Sequence, residues 1–181
     1  AGKAKEETPA AMTKTAERAK QIDFSNTYFF TGQKFIVKKG SVKSLADLDG
    51  KRIGTAKGST SEQNAKKALP KATVLSFDDY PQAFLALQQG KVVAVTTDES
   101  ILANLLAKAP NKELFEIPDI RISDEPYGLG IRKGEKAFVD FVNKALLEME
   151  KSGEAAKTFD RWFGPNSSTP LKRNFKIVAD K

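Results

Sequence analysis

The chain has 181 residues, 40% of them apolar, which suits one domain or a little more and is enough to bury a sizeable core. It contains no cysteine and no histidine, which excludes disulfides, thiolate nucleophiles, cysteine-based metal sites and the commonest general base. The net charge of +7 comes from 30 Lys and Arg interleaved with 23 Asp and Glu without a basic run, the pattern of a solvated surface rather than a nucleic-acid stripe.

Residues 1–10 lack bulky side chains and an apolar leader core, so they read as a flexible tail behind an already removed signal peptide. Residues 33–38 read as a strand, 45–48 as a helical turn closed by Gly50, and 52–56 as a second strand. A turn at 57–60 leads into a helix over 61–69 that Pro70 stops. The alternation continues with a strand at 73–76, a helix at 80–89 ended by Gly90, a strand at 92–96 and a helix at 99–109 ended by Pro110. Strands alternating with helices predict an α/β fold with a mainly parallel sheet flanked by helices.

Short strands follow at 114–117 and 127–132, then two amphipathic helices. The first carries Phe138, Phe141, Val142, Ala145, Leu146 and Met149 at three- and four-residue steps; the second carries Ala155, Phe159, Trp162 and Phe163. Each stripe requires a surface to cover.

In open parallel sheets, ligands bind where strands end and helices begin, because helix N-termini leave N–H groups unsatisfied. Two loops have that placement. Gly58, Ser59, Thr60 and Ser61 offer close backbone approach, hydroxyls and a helix N-terminus that suits a carboxylate, although Thr60 or Ser61 would serve equally as an ordinary helix cap. Thr96, Thr97, Asp98 and Glu99 follow a buried strand, and Asp98 there suits a ligand ammonium or, again, a plain cap. Together the loops would present a carboxylate binder beside an ammonium binder, the pair that an amino-acid zwitterion needs. The spacing of a P-loop is absent from the first loop.

With those residues in view, the chain resembles the polar amino-acid branch of the periplasmic solute-binding proteins of ABC transporters, and within it the glutamate/aspartate binders. The resemblance is carried by Met-Thr-Lys-Thr-Ala-Glu-Arg-Ala-Lys-Gln-Ile-Asp-Phe-Ser at 12–25, Thr-Gly-Gln-Lys-Phe-Ile-Val-Lys-Lys-Gly at 31–40 and Leu-Ala-Asp-Leu-Asp-Gly-Lys-Arg-Ile-Gly at 45–54. Lys-Gly-Ser-Thr-Ser-Glu at 57–62, Thr-Thr-Asp at 96–98, Glu-Pro-Tyr-Gly at 125–128 and Arg-Trp-Phe-Gly at 161–164 continue it in the same order.

The resemblance implies a periplasmic-binding-protein-like (type II) lobe, plus C-terminal helices of an incomplete first lobe. Its boundaries are a tail at 1–10, a first-lobe remnant at 11–32, the second lobe with hinge strands at 33–132, and C-terminal helices and tail at 133–181. It implies that Arg18 pairs with the ligand α-carboxylate, with Thr13 in the hydroxyl-bearing stretch ahead of it. Ser59, Thr60 and Ser61 would hydrogen-bond the ligand, Asp98 would take its ammonium, and Tyr80 lies where side-chain selectivity is set.

The implied activity is extracytoplasmic binding of a polar amino acid of the Glu/Asp or Gln/Asn type for uptake through an ABC-transporter permease, with no catalytic residue, cofactor or metal. The rival readings are a non-binding interaction lobe and a dehydratase on the same scaffold. With most of the first lobe missing, the helical stripes lack their usual cover, at about 1.5 to 3 kcal/mol for each fully buried side chain. The expectation is a homodimer formed by exchange of elements.

Overall fold

The computed structural model describes residues 10–180; of the tail expected at 1–10, residues 1–9 lie outside the described residues. In chain order the elements are β1 (Ala10–Thr13), α1 (Ala16–Ala19), β2 (Ile22–Phe24), β3 (Phe29–Lys38), β4 (Arg52–Ala56), α2 (Thr60–Ala68), β5 (Thr73–Phe77) and α3 (Tyr80–Gln88). They continue with β6 (Ala94–Asp98), α4 (Glu99–Lys108), β7 (Phe115–Glu116), β8 (Ser123–Arg132), α5 (Lys136–Lys151) and α6 (Glu154–Phe163). The chain divides into two compact units: one takes residues up to Phe30, Pro126–Phe159 and Arg173 onward, the other Thr31–Glu125 and Asp160–Lys172. Residues 160–172, grouped by sequence with the C-terminal helices, cluster with the second of these.

In that second unit β4 is flanked by parallel partners, β5 on one side and β6 on the other. β3 then adds to β6 in the antiparallel sense, and the short β7 adds to β3. The parallel strands are the ones joined through helices, as such crossovers require. Both faces of this sheet are covered, and β3 shows it at three consecutive positions. Phe35 and Val37 pack with Val42, Leu48, Ile53, Leu69 and Ala94, whereas Ile36 between them packs with Ala83, Phe84, Leu87, Val95, Leu102 and Phe115. Successive strand residues point to opposite faces, so an unbroken apolar run is the signature of a strand buried on both sides. The end of α2 supplies Leu69 to the first cluster, and α3 and α4 supply the second.

β6 begins two residues later than the 92–96 run predicts and extends to Asp98, because its ladder with β3 pairs Gln33 with Asp98 and Lys34 with Thr97. Thr97 and Asp98 therefore stand in the strand rather than in a loose loop.

In the other unit, β1 and β2 pair antiparallel with β8. The stripe of α5 does not stand wholly uncovered, which corrects that expectation. Leu146 is buried with Ala155 and Ile177, and Val142, Met149 and Tyr28 pack on them. Phe159 meets Phe29 at 6.0 Å and Phe175 at 5.9 Å between ring centroids. Ile177 and Phe175 lie past the last helix, so an irregular tail provides half of the cover. Of the rest of the stripe, Phe141 is 68% exposed and Phe138 is also exposed. Arg173 in that tail bonds both oxygens of Glu150, and the Ile177 N–H donates to Glu150 Oε2 at 2.9 Å.

Candidate functional site

β4 and β6 run parallel side by side, so the chain segments that follow them emerge at one edge of the sheet. After β4, Gly58 turns the chain with a φ of 72°, a left-handed conformation that glycine adopts without steric penalty. Ser59 then caps α2: its Oγ accepts from the Glu62 N–H at 3.1 Å and donates to the Ala56 carbonyl at 2.7 Å. The cap is Ser59 rather than Thr60 or Ser61, so the hydroxyls of those two residues are not used for capping.

Ser61 is buried, and its Oγ donates to Thr97 Oγ1 at 3.2 Å while accepting from the Tyr80 hydroxyl at 3.3 Å. The starts of α2 and α3 and the end of β6 are thereby joined by a chain of three hydroxyls. Asp98 follows Thr97 directly, is 5% exposed, and stands at the N-cap position of α4 without making a side-chain capping hydrogen bond. Of the residues singled out from sequence in this unit, Tyr80 and Ser61 bond one another, Ser59 and Thr60 lie in the same turn as Ser61, and Asp98 is tied to them through its neighbour Thr97.

Glu99, the residue after Asp98, is engaged elsewhere. Lys34, directly across the ladder from Thr97, holds Glu99 at 3.0 Å and Asp119 at 2.9 Å. Burial pulls the Lys34 ammonium down, but the hydrogen bonds it donates to Asp119 and Glu99 outweigh it, so the group lies above the ordinary lysine value.

Glu62 stabilises the turn from the other side. Its carboxylate accepts from the Gly58 N–H at 2.7 Å, from Ser76 Oγ at 2.8 Å and from Lys66 Nζ at 2.6 Å. Lys66 first, then Ser76 and Gly58, pull its pKa down to about 2. A carboxyl depressed on folding stabilises the native state above its unfolded value, and that contribution fades as pH falls towards the folded one. Between about pH 5 and pH 2 the wild type should therefore lose melting temperature more steeply than Glu62→Gln, as read by circular dichroism. Parallel curves would show that Glu62 contributes nothing to acid sensitivity.

In the other unit, Thr15 caps the single-turn α1 by accepting from the Arg18 N–H at 3.2 Å. Arg18 Nη1 donates to the carbonyl of buried Thr13 at 2.8 Å, and among the described residues no carboxylate lies in ion-pair range of this guanidinium. Thr13 and Arg18 are thus brought together.

Sequence reasoning did not single out Thr97 or Gln33, both of which are fully buried. The signal for Gln33 was its polarity at the head of a strand otherwise covered on both faces. For Thr97 it was position alone, one residue ahead of Asp98.

The family model for bacterial extracellular solute-binding proteins, family 3, matches residues 8–165. A glutamine-binding protein of an ABC transporter from Bacillus subtilis is 41% identical over 155 residues, covering 84% of this chain and 56% of that protein. An L-glutamate/L-aspartate-binding protein from Pseudomonas aeruginosa is 34% identical over 179 residues, covering 92% of this chain and 59% of that protein. The chain thus spans little more than half the length of these relatives. Among solved structures, an ancestral arginine-binding protein bound to glutamine superposes with a TM-score of 0.77 at 45% identity, covering 84% of this chain and 68% of that one. An ancestral amino-acid-binding protein, a precursor of cyclohexadienyl dehydratase, has a TM-score of 0.75 at 35% identity, covering 83% of this chain and 66% of that one. The periplasmic-binding-protein-like α/β fold that the resemblance implies is common to these neighbours, and the chain belongs to the bacterial extracellular solute-binding proteins, family 3.

Proposed function

We propose that this chain binds a polar amino acid outside the cytoplasm for delivery to an ABC-transporter permease, and that glutamine is the preferred ligand. The observation that carries the reading is the hydroxyl chain Tyr80–Ser61–Thr97 beside buried Asp98. Asp98 suits the ammonium of an amino acid, as a buried carboxylate that accepts charge-assisted hydrogen bonds. Ser59, Thr60 and Ser61 suit its polar groups, and Tyr80 adjoins its side chain. Within their own unit, Arg18 and Thr13 suit a carboxylate, for which a planar guanidinium fork is the best match.

The preference for an amide rests on charge. Hydroxyls both donate and accept, so they satisfy a carboxamide fully, whereas a buried carboxylate side chain asks for a cation. Lys34, across the ladder from Thr97, is held by two carboxylates. Titration calorimetry should give glutamine a lower Kd than glutamate by about tenfold, equivalent to about 1.4 kcal/mol. Equal affinities, or a preference for glutamate, would overturn the amide assignment; no heat with any amino acid would overturn the binding function.

The outward half of the α5 stripe supports a second element of the reading, a homodimer through exchanged elements. Phe138 and Phe141, three residues apart on α5 and both exposed, suit an interaction surface. Light scattering at tens of micromolar should give twice the chain mass, and a monomer mass would end that part of the proposal.

A further inference from the structure

Gln33 is 0% exposed, and a buried carboxamide needs partners at both ends. Its Nε2 donates to the Ser61 carbonyl at 3.0 Å and to Thr96 Oγ1 at 2.9 Å. One side chain therefore clasps the first turn of α2 to β6, two residues ahead of Asp98. Its Oε1 accepts from Asn64 Nδ2 at 3.0 Å, with Ser123 Oγ 3.4 Å away.

The direction of these bonds is set further back. Asn64 Nδ2 also lies 2.9 Å from Oε1 of Glu125, which is 1% exposed and accepts from Ser123 as well. The other Glu125 oxygen meets no donor among the described residues, so this carboxyl acts on Asn64 and Ser123 alone. Facing an acceptor, Asn64 must turn its amino group inward, which obliges Gln33 to turn its carbonyl towards Asn64 and its own amino group towards Ser61 and Thr96. Reversing the Gln33 amide would set donor against donor at one end and acceptor against carbonyl at the other.

We propose that Gln33 is a positioning residue of the amino-acid site, holding the Ser61 turn at a fixed distance from the Thr96–Asp98 strand end, with its amide orientation imposed by Asn64 and Glu125. The proposal rests on the binding function assigned above and deepens it: Ser61 and Asp98 act as one preformed surface because a third residue braces them.

Gln33→Met keeps the side-chain length and removes both donated bonds. It should weaken glutamine binding about tenfold, or about 1.4 kcal/mol. On a Ser61→Ala background, where the hydroxyl to be positioned is gone, the same change should weaken binding less than about twofold, a coupling that independent sites do not show. Hydrogen exchange followed without ligand should become at least severalfold faster at the Glu62, Gln63 and Asp98 amides in Gln33→Met, since these report local opening.

Asn64→Asp combined with Glu125→Gln restores a complementary pair but presents an acceptor to Gln33. This double variant should recover the stability lost in Asn64→Asp while binding stays weak; binding that recovers together with stability would show a merely structural network. Unchanged exchange in Gln33→Met, or equal weakening with and without the Ser61 hydroxyl, overturns the proposal. If Asp98→Ala leaves binding intact, or the wild type binds no amino acid, the site reading fails instead, and exchange alone decides the bracing role.

Discussion

Asp98→Ala should strongly weaken amino-acid binding: the heat of glutamine binding should fall and the ligand should raise the melting temperature far less than in the wild type. The carboxylate is 5% exposed and stands at the end of β6, where an ammonium reaching it is shielded from water. Truncating one partner of a buried hydrogen-bonded charge pair costs about 2 to 5 kcal/mol, much of it from the charge left unpaired on the ligand. That corresponds to a weakening of roughly 30-fold to several thousand-fold. Asp98→Asn keeps the shape and loses the charge, so it should fall in the same range. Because a ligand that binds only the folded state stabilises it by mass action, a thermal-shift screen reads the effect independently of calorimetry. A ligand-induced shift in Asp98→Ala as large as in the wild type would place the ammonium elsewhere.

Glu150→Ala should have the largest effect on stability. Glu150 on α5 and Arg173 in the C-terminal tail are both mostly buried, and the same carboxylate takes the Ile177 N–H. Arg173 also lies over the Phe175 ring, 4.8 Å from its centroid. The Arg173 guanidinium first, and then the Ile177 N–H, hold the Glu150 carboxyl below the ordinary glutamate value. Removing it leaves a guanidinium and a backbone N–H without their acceptor, at about 3 to 5 kcal/mol for breaking such a pair. Chemical denaturation measures this directly. Replacing both partners, Glu150→Leu with Arg173→Leu, should recover most of the loss, because an apolar pair of similar bulk requires no desolvation of charge. A Glu150→Ala variant within about 0.5 kcal/mol of wild type would mean that the tail is not held through this contact.

The alternating run from β4 to α4 was legible in the sequence because each piece carries a local signature. Pro70, Gly90 and Pro110 punctuate the helices, and short apolar runs mark strands covered on both sides. The reversed direction of β3 left no trace, since strand periodicity is identical in either sense. The two-residue shift of β6 was equally hidden: Val92 is buried and Thr97 polar, so composition favoured the earlier register, whereas pairing with β3 decides the later one. The site followed the same division. Loop residues at strand ends announced themselves by type, but Gln33 draws its meaning from Ser61, Thr96, Asn64 and Ser123, partners between 28 and 90 positions away. No window of sequence contains that network. The cover for α5 was misjudged for a related reason: Phe175 and Ile177 lie in a stretch without regular structure, where no stripe points to burial.

The division of the chain also bears on the order in which it folds. One unit draws most of its residues from the single stretch Thr31–Glu125, whereas the other gathers three separated stretches. β1 must find β8 across more than a hundred positions, and Asp180 reaches back to Lys14 and to the Thr27 amide. Closing loops of that length is slow relative to forming local strand–helix–strand units. The continuous stretch with its hydroxyl-lined edge can therefore assemble early, and the interrupted unit completes only when the segment around Ile177 docks. Pulse-labelled exchange protection at the Ile53 and Val95 amides, within the continuous stretch, compared with that at Ile177 would separate the two events in time.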